Sequence, residues 1–159
     1  MITKNFMACI IAKTDTSLNV SAKNVDGEYV TQGYGNIGNF LGFASGNGLD
    51  YSAGAGQSMR LLFGSGDSSA SIDDYKLENL LTDYSVLTHS KTSIGAYDTL
   101  CTVFSRTIQA NTSITIKEYG IVSVSSSGDA LLLAREVLPE PVTLQSGEKH
   151  TFTMTISLE

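Results

Sequence analysis

The sequence predicts an all-β fold: an antiparallel β-sandwich, jelly-roll or immunoglobulin-like, with a short N-terminal helix and a long glycine-rich loop. Three observations predict it. From residue 59 onward, short apolar runs recur between clusters of Gly, Ser, Asp and Pro, with no helical pattern between them. The final run sets Phe152, Met154, Ile156 and Leu158 against Thr151, Thr153, Thr155 and Ser157, the two-residue period of a strand with one buried face. Of the 159 residues, 42% are apolar and only 16% are charged, which excludes a disordered chain and a long coiled coil. This length suits a single domain, read as helix and hairpin over 1–32, loop over 33–58 and sandwich over 59–159.

Ile2, Phe6, Cys9 and Ile10 fall at helical spacing with Lys4 and Lys13 outside the stripe, so 1–13 is read as a helix, a strand being the competing reading. Leu18, Val20 and Ala22 alternate with Asn19, Ser21 and Lys23, and Asp26-Gly27 supplies a two-residue turn whose positions take positive φ; 18–32 therefore reads as a hairpin. The stretch 33–58 has no period. Gly27 to Gly66 holds 11 of the 15 glycines, and glycine weakens helices and strands alike. Yet Tyr34, Phe40, Leu41, Phe43 and Tyr51 need something to pack on. Ordering each backbone residue costs about 1–2 kcal/mol, so the expectation is that this segment is ordered by other protein chains, with those five side chains as the assembly interface. A loop folded over its own sandwich is the competing reading.

Met59, Leu61 and Phe63 alternate up to Gly64, and Tyr97 to Ile108 is a long β-rich run. Ile114 and Ile116 alternate with Thr115 and Lys117, and Gly120-Ile121-Val122 is read as a bend or bulge. Ala130 to Leu138 is nearly all apolar. Gly64-Ser-Gly-Asp, Ser125-Ser-Ser-Gly-Asp, Pro139-Glu-Pro141 and Gln145-Ser-Gly-Glu are read as turns. The expected core is Phe104, Ile114, Ile116, Leu132, Phe152, Met154, Ile156 and Leu158. Lys117-Glu118 and Arg135-Glu136 interrupt apolar strands; outward charge pairs and a buried Arg135–Glu118 pair both fit.

The net charge is −6, and the basic residues are scattered singly from Lys4 to Lys149, so nucleic acid is not an expected partner. No apolar run approaches the roughly 20 residues of a membrane helix, so no membrane partner is expected. The N-terminal stretch lacks the pattern of a secretory signal, which points to synthesis in a cytoplasm. The sequons at Asn19 and Asn111 are accordingly read as unmodified. Cys9 and Cys101 read as buried thiols rather than a disulfide framework. Gly33-Tyr-Gly-Asn-Ile-Gly38 matches a dinucleotide fingerprint by letters, but glycine recurs where its helix should run, so no cofactor is expected. His89 and His150 are read as strand-end histidines rather than general bases, and no nucleophile elbow accompanies them. Asp67, Asp73, Asp74 and Glu78 lack the alternation of a Ca²⁺ loop and read as turn and cap residues, not metal ligands. The expectation is a protein without catalysis.

Three stretches resemble small β-sandwich structural proteins of tailed bacteriophages and prophages. They are Leu62-Phe-Gly-Ser-Gly-Asp with Ile72-Asp-Asp-Tyr-Lys-Leu-Glu-Asn-Leu; Ser113-Ile-Thr-Ile-Lys-Glu-Tyr-Gly-Ile121; and Leu131-Leu-Leu-Ala-Arg-Glu-Val-Leu138 with Pro141-Val-Thr-Leu-Gln-Ser-Gly-Glu. The resemblance covers 61–159 and the start Met1-Ile-Thr-Lys-Asn-Phe, but not 33–58. It implies a non-enzymatic virion component, an oligomeric accessory or decoration protein on the capsid, neck or tail. Its implied partners are further copies of itself and other virion proteins. The alternative is a tail-associated receptor- or glycan-binding module, in which Tyr34, Tyr51 and the Gly/Asn loop face a sugar.

Overall fold

A computed structural model describes the backbone over residues 1–15, 17–31, 36–42, 46–52, 57–96 and 99–158, with side chains for all of these except 31, 36, 38, 42, 93–96, 99–101 and 158. The fold is mainly β. Helix α1 (Lys4–Thr14) leads into a small hairpin of β1 (Ser21–Lys23) and β2 (Tyr29–Thr31). The helical turn α2 (Asn36–Asn39) and a 3₁₀ turn (Phe40–Gly42) follow. Then come β3 (Ser58–Gly64), β4 (Tyr84–Ala96), β5 (Thr99–Ala110), β6 (Ile114–Val124), β7 (Ala130–Leu144) and β8 (Lys149–Leu158). They form two three-stranded antiparallel sheets, ordered β3-β6-β7 and β4-β5-β8.

The inner faces of the two sheets share the main core. Met59, Leu61 and Phe63 of β3 and Ile114, Ile116 and Ile121 of β6 meet Phe104 and Ile108 of β5 and Phe152 and Met154 of β8. The Phe63 ring lies 4.7 Å from Phe152 and 5.4 Å, edge-on, from Tyr84, within the range of favourable aromatic pairs. A second cluster lies on the opposite face of β3-β6-β7. There Leu62, Val122, Val124, Ala130 and Leu132 are covered by Val25 and by Leu77 of the long connection after β3, with Tyr51 and Leu80 packed alongside. Covered on both faces, β3 is buried along its whole length. Leu132 thus belongs to this second cluster, and Ile156 is half-buried against the main one; the Leu158 side chain lies outside the described residues.

The helix runs where expected, but its buried side is Asn5, Ala8, Cys9 and Ala12. Small residues let α1 lie close to the neighbouring elements. Asn5 donates to Lys23 O at 2.7 Å and accepts from Lys23 N at 2.8 Å, tying the helix to β1. Ile2 is not on the helix; it bridges Ala134 at the outer edge of β7. The hairpin turn is longer than the two residues expected. Asn24 O accepts from Gly27 N and Asn24 N donates to Glu28 O, with Gly27 at φ +87°.

Two further corrections concern strands. The sequence reading passed over β4, whose inward residues begin as Tyr84 and Val86 and then, after a bulge at Leu87, become His89 and Lys91. That bulge reverses the parity and hides the period. Pro139 and Pro141 do not form a turn but lie inside β7. Glu118 faces Val137 while Ile116 faces Val142, so β7 carries extra residues there, on an edge strand where a missing N–H costs no ladder bond. The irregularity expected near Gly120 is present, but the extra residue is Leu133 of β7. A side chain at 120 would sit 2.7 Å from Ala134 O, so the close approach requires glycine. The turns at Gly128 (φ +100°) and Gly147 (φ +86°) are as the sequence reading has them.

Candidate functional site: inward-tied loops and an open sheet

Three arginines lie almost wholly out of solvent, and each holds a loop. Arg106, on β5 in phase with Phe104 and Ile108, points into the core, because strand residues two apart share a face. Its Nη1 donates to Leu61 O at 2.8 Å, and its Nη2 donates to Gly46 O at 2.7 Å and Gly48 O at 3.0 Å. Arg60, facing the other side of β3 from Leu61, donates through Nη1 to Asp50 O at 2.7 Å and Ser52 O at 2.9 Å, and through Nε to Ser58 Oγ at 3.0 Å. A planar guanidinium presents several donors in a fixed fork, which suits a curved row of carbonyls. Side chains at 46 or 48 would collide with Ser58 or Arg60, so glycine there lets the loop reach the forks.

Burial depresses the Arg106 pKa, and no carboxylate pairs with it among the described residues. Its Nε and the hydroxyl of Tyr84 are buried without hydrogen-bond partners, although the phenol faces the guanidinium closely enough to interact electrostatically. Arg135 has the opposite surroundings. Its Nε donates to Glu118 Oε2 at 2.7 Å, Nη1 to Asp74 Oδ2 at 2.8 Å and Nη2 to Ser68 O at 3.1 Å. Burial would lower its pKa, but the Asp74 and Glu118 carboxylates outweigh that and raise it. The fully buried Glu118 also accepts from Gly66 N and Asn79 N through Oε1. The connection 65–81 is thereby fastened over the outer face of β3-β6-β7, and the buried Arg135–Glu118 pair is the arrangement realised.

These contacts account for the acidic cluster. Asp74 binds Arg135, Glu78 lies 3.8 Å from the same guanidinium, Asp73 pairs with Lys4 at 2.5 Å and Asp67 with Lys117 at 2.8 Å. Among the described residues no group of three or more His, Cys, Asp or Glu converges as metal ligands would. His89 lies on β4 beside Arg106, and the His150 ring lies tilted 4.6 Å from that of Phe152; the two are on strands flanking opposite sides of β5. Cys9 is fully buried as a thiol, and burial pushes its pKa up to about 12, so it is not a thiolate nucleophile at neutral pH. Cys101 has its side chain outside the described residues.

Of the five side chains expected at an assembly interface, Tyr34 and Phe43 lie outside the described residues. Phe40 is 4% exposed in the main core, and its carbonyl accepts from Ser123 Oγ at 2.7 Å. Leu41 packs partly against that core, and its carbonyl accepts from Lys91 Nζ at 3.2 Å. Tyr51 packs on the outer cluster, and its hydroxyl accepts from Leu77 N at 2.9 Å. These three make contacts within their own chain: Phe40 is buried, while Leu41 and Tyr51 are half-buried and keep part of their surface open.

One open surface is the outer face of β4-β5-β8. Registered across it are Thr88–Thr107–Thr151, then Ser90–Ser105–Thr153, then Thr92–Val103–Thr155. Eight of these nine carry hydroxyls and none is charged; Thr107 and Thr151 share a hydrogen bond of 2.8 Å. The two sheets also differ at their edges. On β3 the open-edge carbonyls of Met59, Leu61 and Phe63 accept from Gly46 N, Arg106 and Leu81 N respectively. On β7, Leu133 O accepts from Thr3 N and Met1 O accepts from Arg135 N. Among the described residues no such backbone bond reaches the outer edge of β8. Sequence reasoning missed the roles of Arg60 and Arg106, although Arg106 stands in the apolar phase of its strand, which was the available signal. Comparisons of the chain with protein-family models, curated proteins and solved structures find no match.

Proposed function

We propose that the chain is a non-enzymatic structural component of a tailed-phage virion, an oligomeric accessory or decoration protein on the capsid, neck or tail. The resemblance over 61–159 supports this reading. The observation that carries it is the contrast between the sheets. Loops and the N-terminal segment are tied to the edges and outer face of β3-β6-β7, while β4-β5-β8 presents uncharged rows of Ser and Thr and, among the described residues, an unpaired edge at β8. A strand edge with unpaired N–H and C=O groups suits pairing with another chain, and a face without basic residues in its hydroxyl rows does not suit nucleic acid. The glycan-binding alternative relied on Tyr34 and Tyr51, and the Tyr51 hydroxyl is taken by Leu77.

The test is quantitative mass spectrometry of gradient-purified particles induced from the cell that encodes the chain, with antibody labelling viewed by electron microscopy. The expected result is the chain at a fixed copy number with label at one position on the particle. Its presence only in the soluble, particle-free fraction would overturn the reading.

A further inference from the structure

Every sheet edge must be covered, protected or paired, because an unpaired row of N–H and C=O groups recruits another strand. In this chain β3 and β7 are covered as described. Strand β4 carries two protective features, the bulge at Leu87 and the inward Lys91. Strand β8 has neither. Its pairing with β5 runs without interruption from Lys149 to Leu158. Between Thr151 and Ser157 it contains no proline, glycine, lysine or carboxylate.

We infer that β8 is the self-association edge, pairing antiparallel with β8 of a second copy of this chain about a two-fold axis at Met154. The occupant follows from the strand itself. With Met154 opposite Met154, Thr153 faces Thr155, Phe152 faces Ile156 and Thr151 faces Ser157. Every pair then joins like with like on the same side of the sheet: hydroxyls meet on the outer face, apolar groups on the inner face. Antiparallel two-fold contacts need this self-complementarity. The half-buried Ile156 gains an apolar neighbour in Phe152 of the second copy. Two chains each carrying −6 repel on average, and this strip is a place where they meet without like charges facing each other. The product is a continuous six-stranded sheet whose outer face repeats the hydroxyl rows on both halves.

The inference rests on the homo-oligomer part of the proposed reading and is independent of the virion assignment. It is tested on the purified full chain by sedimentation velocity over a concentration series. Thr153→Lys/Thr155→Lys sets like charges opposite each other across the axis while altering only exposed positions of the single chain. The expected result is a concentration-dependent dimer for the original chain, weakened about tenfold or more in the double-lysine protein at unchanged melting temperature. Thr153→Glu/Thr155→Glu alone behaves likewise, and mixing the two variants restores a dimer. A monomer at all concentrations, or a dimer equally strong in the lysine variant, would overturn the assignment to β8. Absence of the chain from particles would sink the virion reading and leave this one standing.

Discussion

At the scale of the residue, the fold depends on where a few polar side chains are buried. A buried guanidinium without a carboxylate is costly to desolvate, and Arg106 offsets that cost only by binding three carbonyls. A lysine there would supply a point charge without the fork. The buried acids Cys9 and Tyr84 make a second point. Burial pushes each up to about 12, from ordinary values of 9.0 and 10.0. An unfolded chain ionises them at the ordinary values while the folded chain holds them neutral. Their contribution is therefore complete below pH 9 and lost as pH rises from 9 toward 12. The urea midpoint should fall steadily across that window, and Cys9→Ala should flatten its first part. A midpoint constant throughout would contradict the burial of both groups.

At the scale of the element, the connection 65–81 is held by an ion cluster and by Leu77, which fills the outer core. Glu118→Ala removes the buried carboxylate from Arg135 Nε, leaving Asp74 as its close partner, and takes the acceptor from Gly66 N and Asn79 N. It should cost about 3–5 kcal/mol and open 65–81 to proteolysis before the rest of the chain unfolds. Equal resistance to protease at that segment would show that the cluster does not hold it. This element also marks the limits of the sequence. The strand alternation in 149–158 and the turns at Gly128 and Gly147 were legible because local chemistry decides them. Strand β4 was not, because one bulge exchanges inward and outward positions. The prolines of β7 misled because an edge strand tolerates them. In the glycine-rich stretch the sequence shows no period, and Gly46 and Gly48 serve close contact with Arg106, distant in sequence.

At the scale of the whole molecule, the two sheets differ in how far they are enclosed. β3-β6-β7 is enclosed, with clusters on both faces and cover at both edges, so it provides the rigid body. β4-β5-β8 closes the main core on one side and presents hydroxyl rows and the β8 edge on the other. Of the side chains expected at an assembly interface, Phe40 is buried in the main core, and Leu41 and Tyr51 are half-buried against their own chain. The described parts of 33–58 are held by hydrogen bonds within their own chain, and on the proposed reading the contact surface is the opposite sheet.

The most direct test of this division is hydrogen exchange on the dilute, isolated chain, followed at Gly46, Gly66, Leu77 and Leu81. Their amides donate to Met59 O, Glu118 Oε1, Tyr51 Oη and Phe63 O respectively. The account predicts strong protection of all four in the monomer, unchanged on assembly, while protection on β8 rises only when copies associate. Exchange of these four at unstructured rates in the monomer, with protection appearing only in assembled particles, would contradict it.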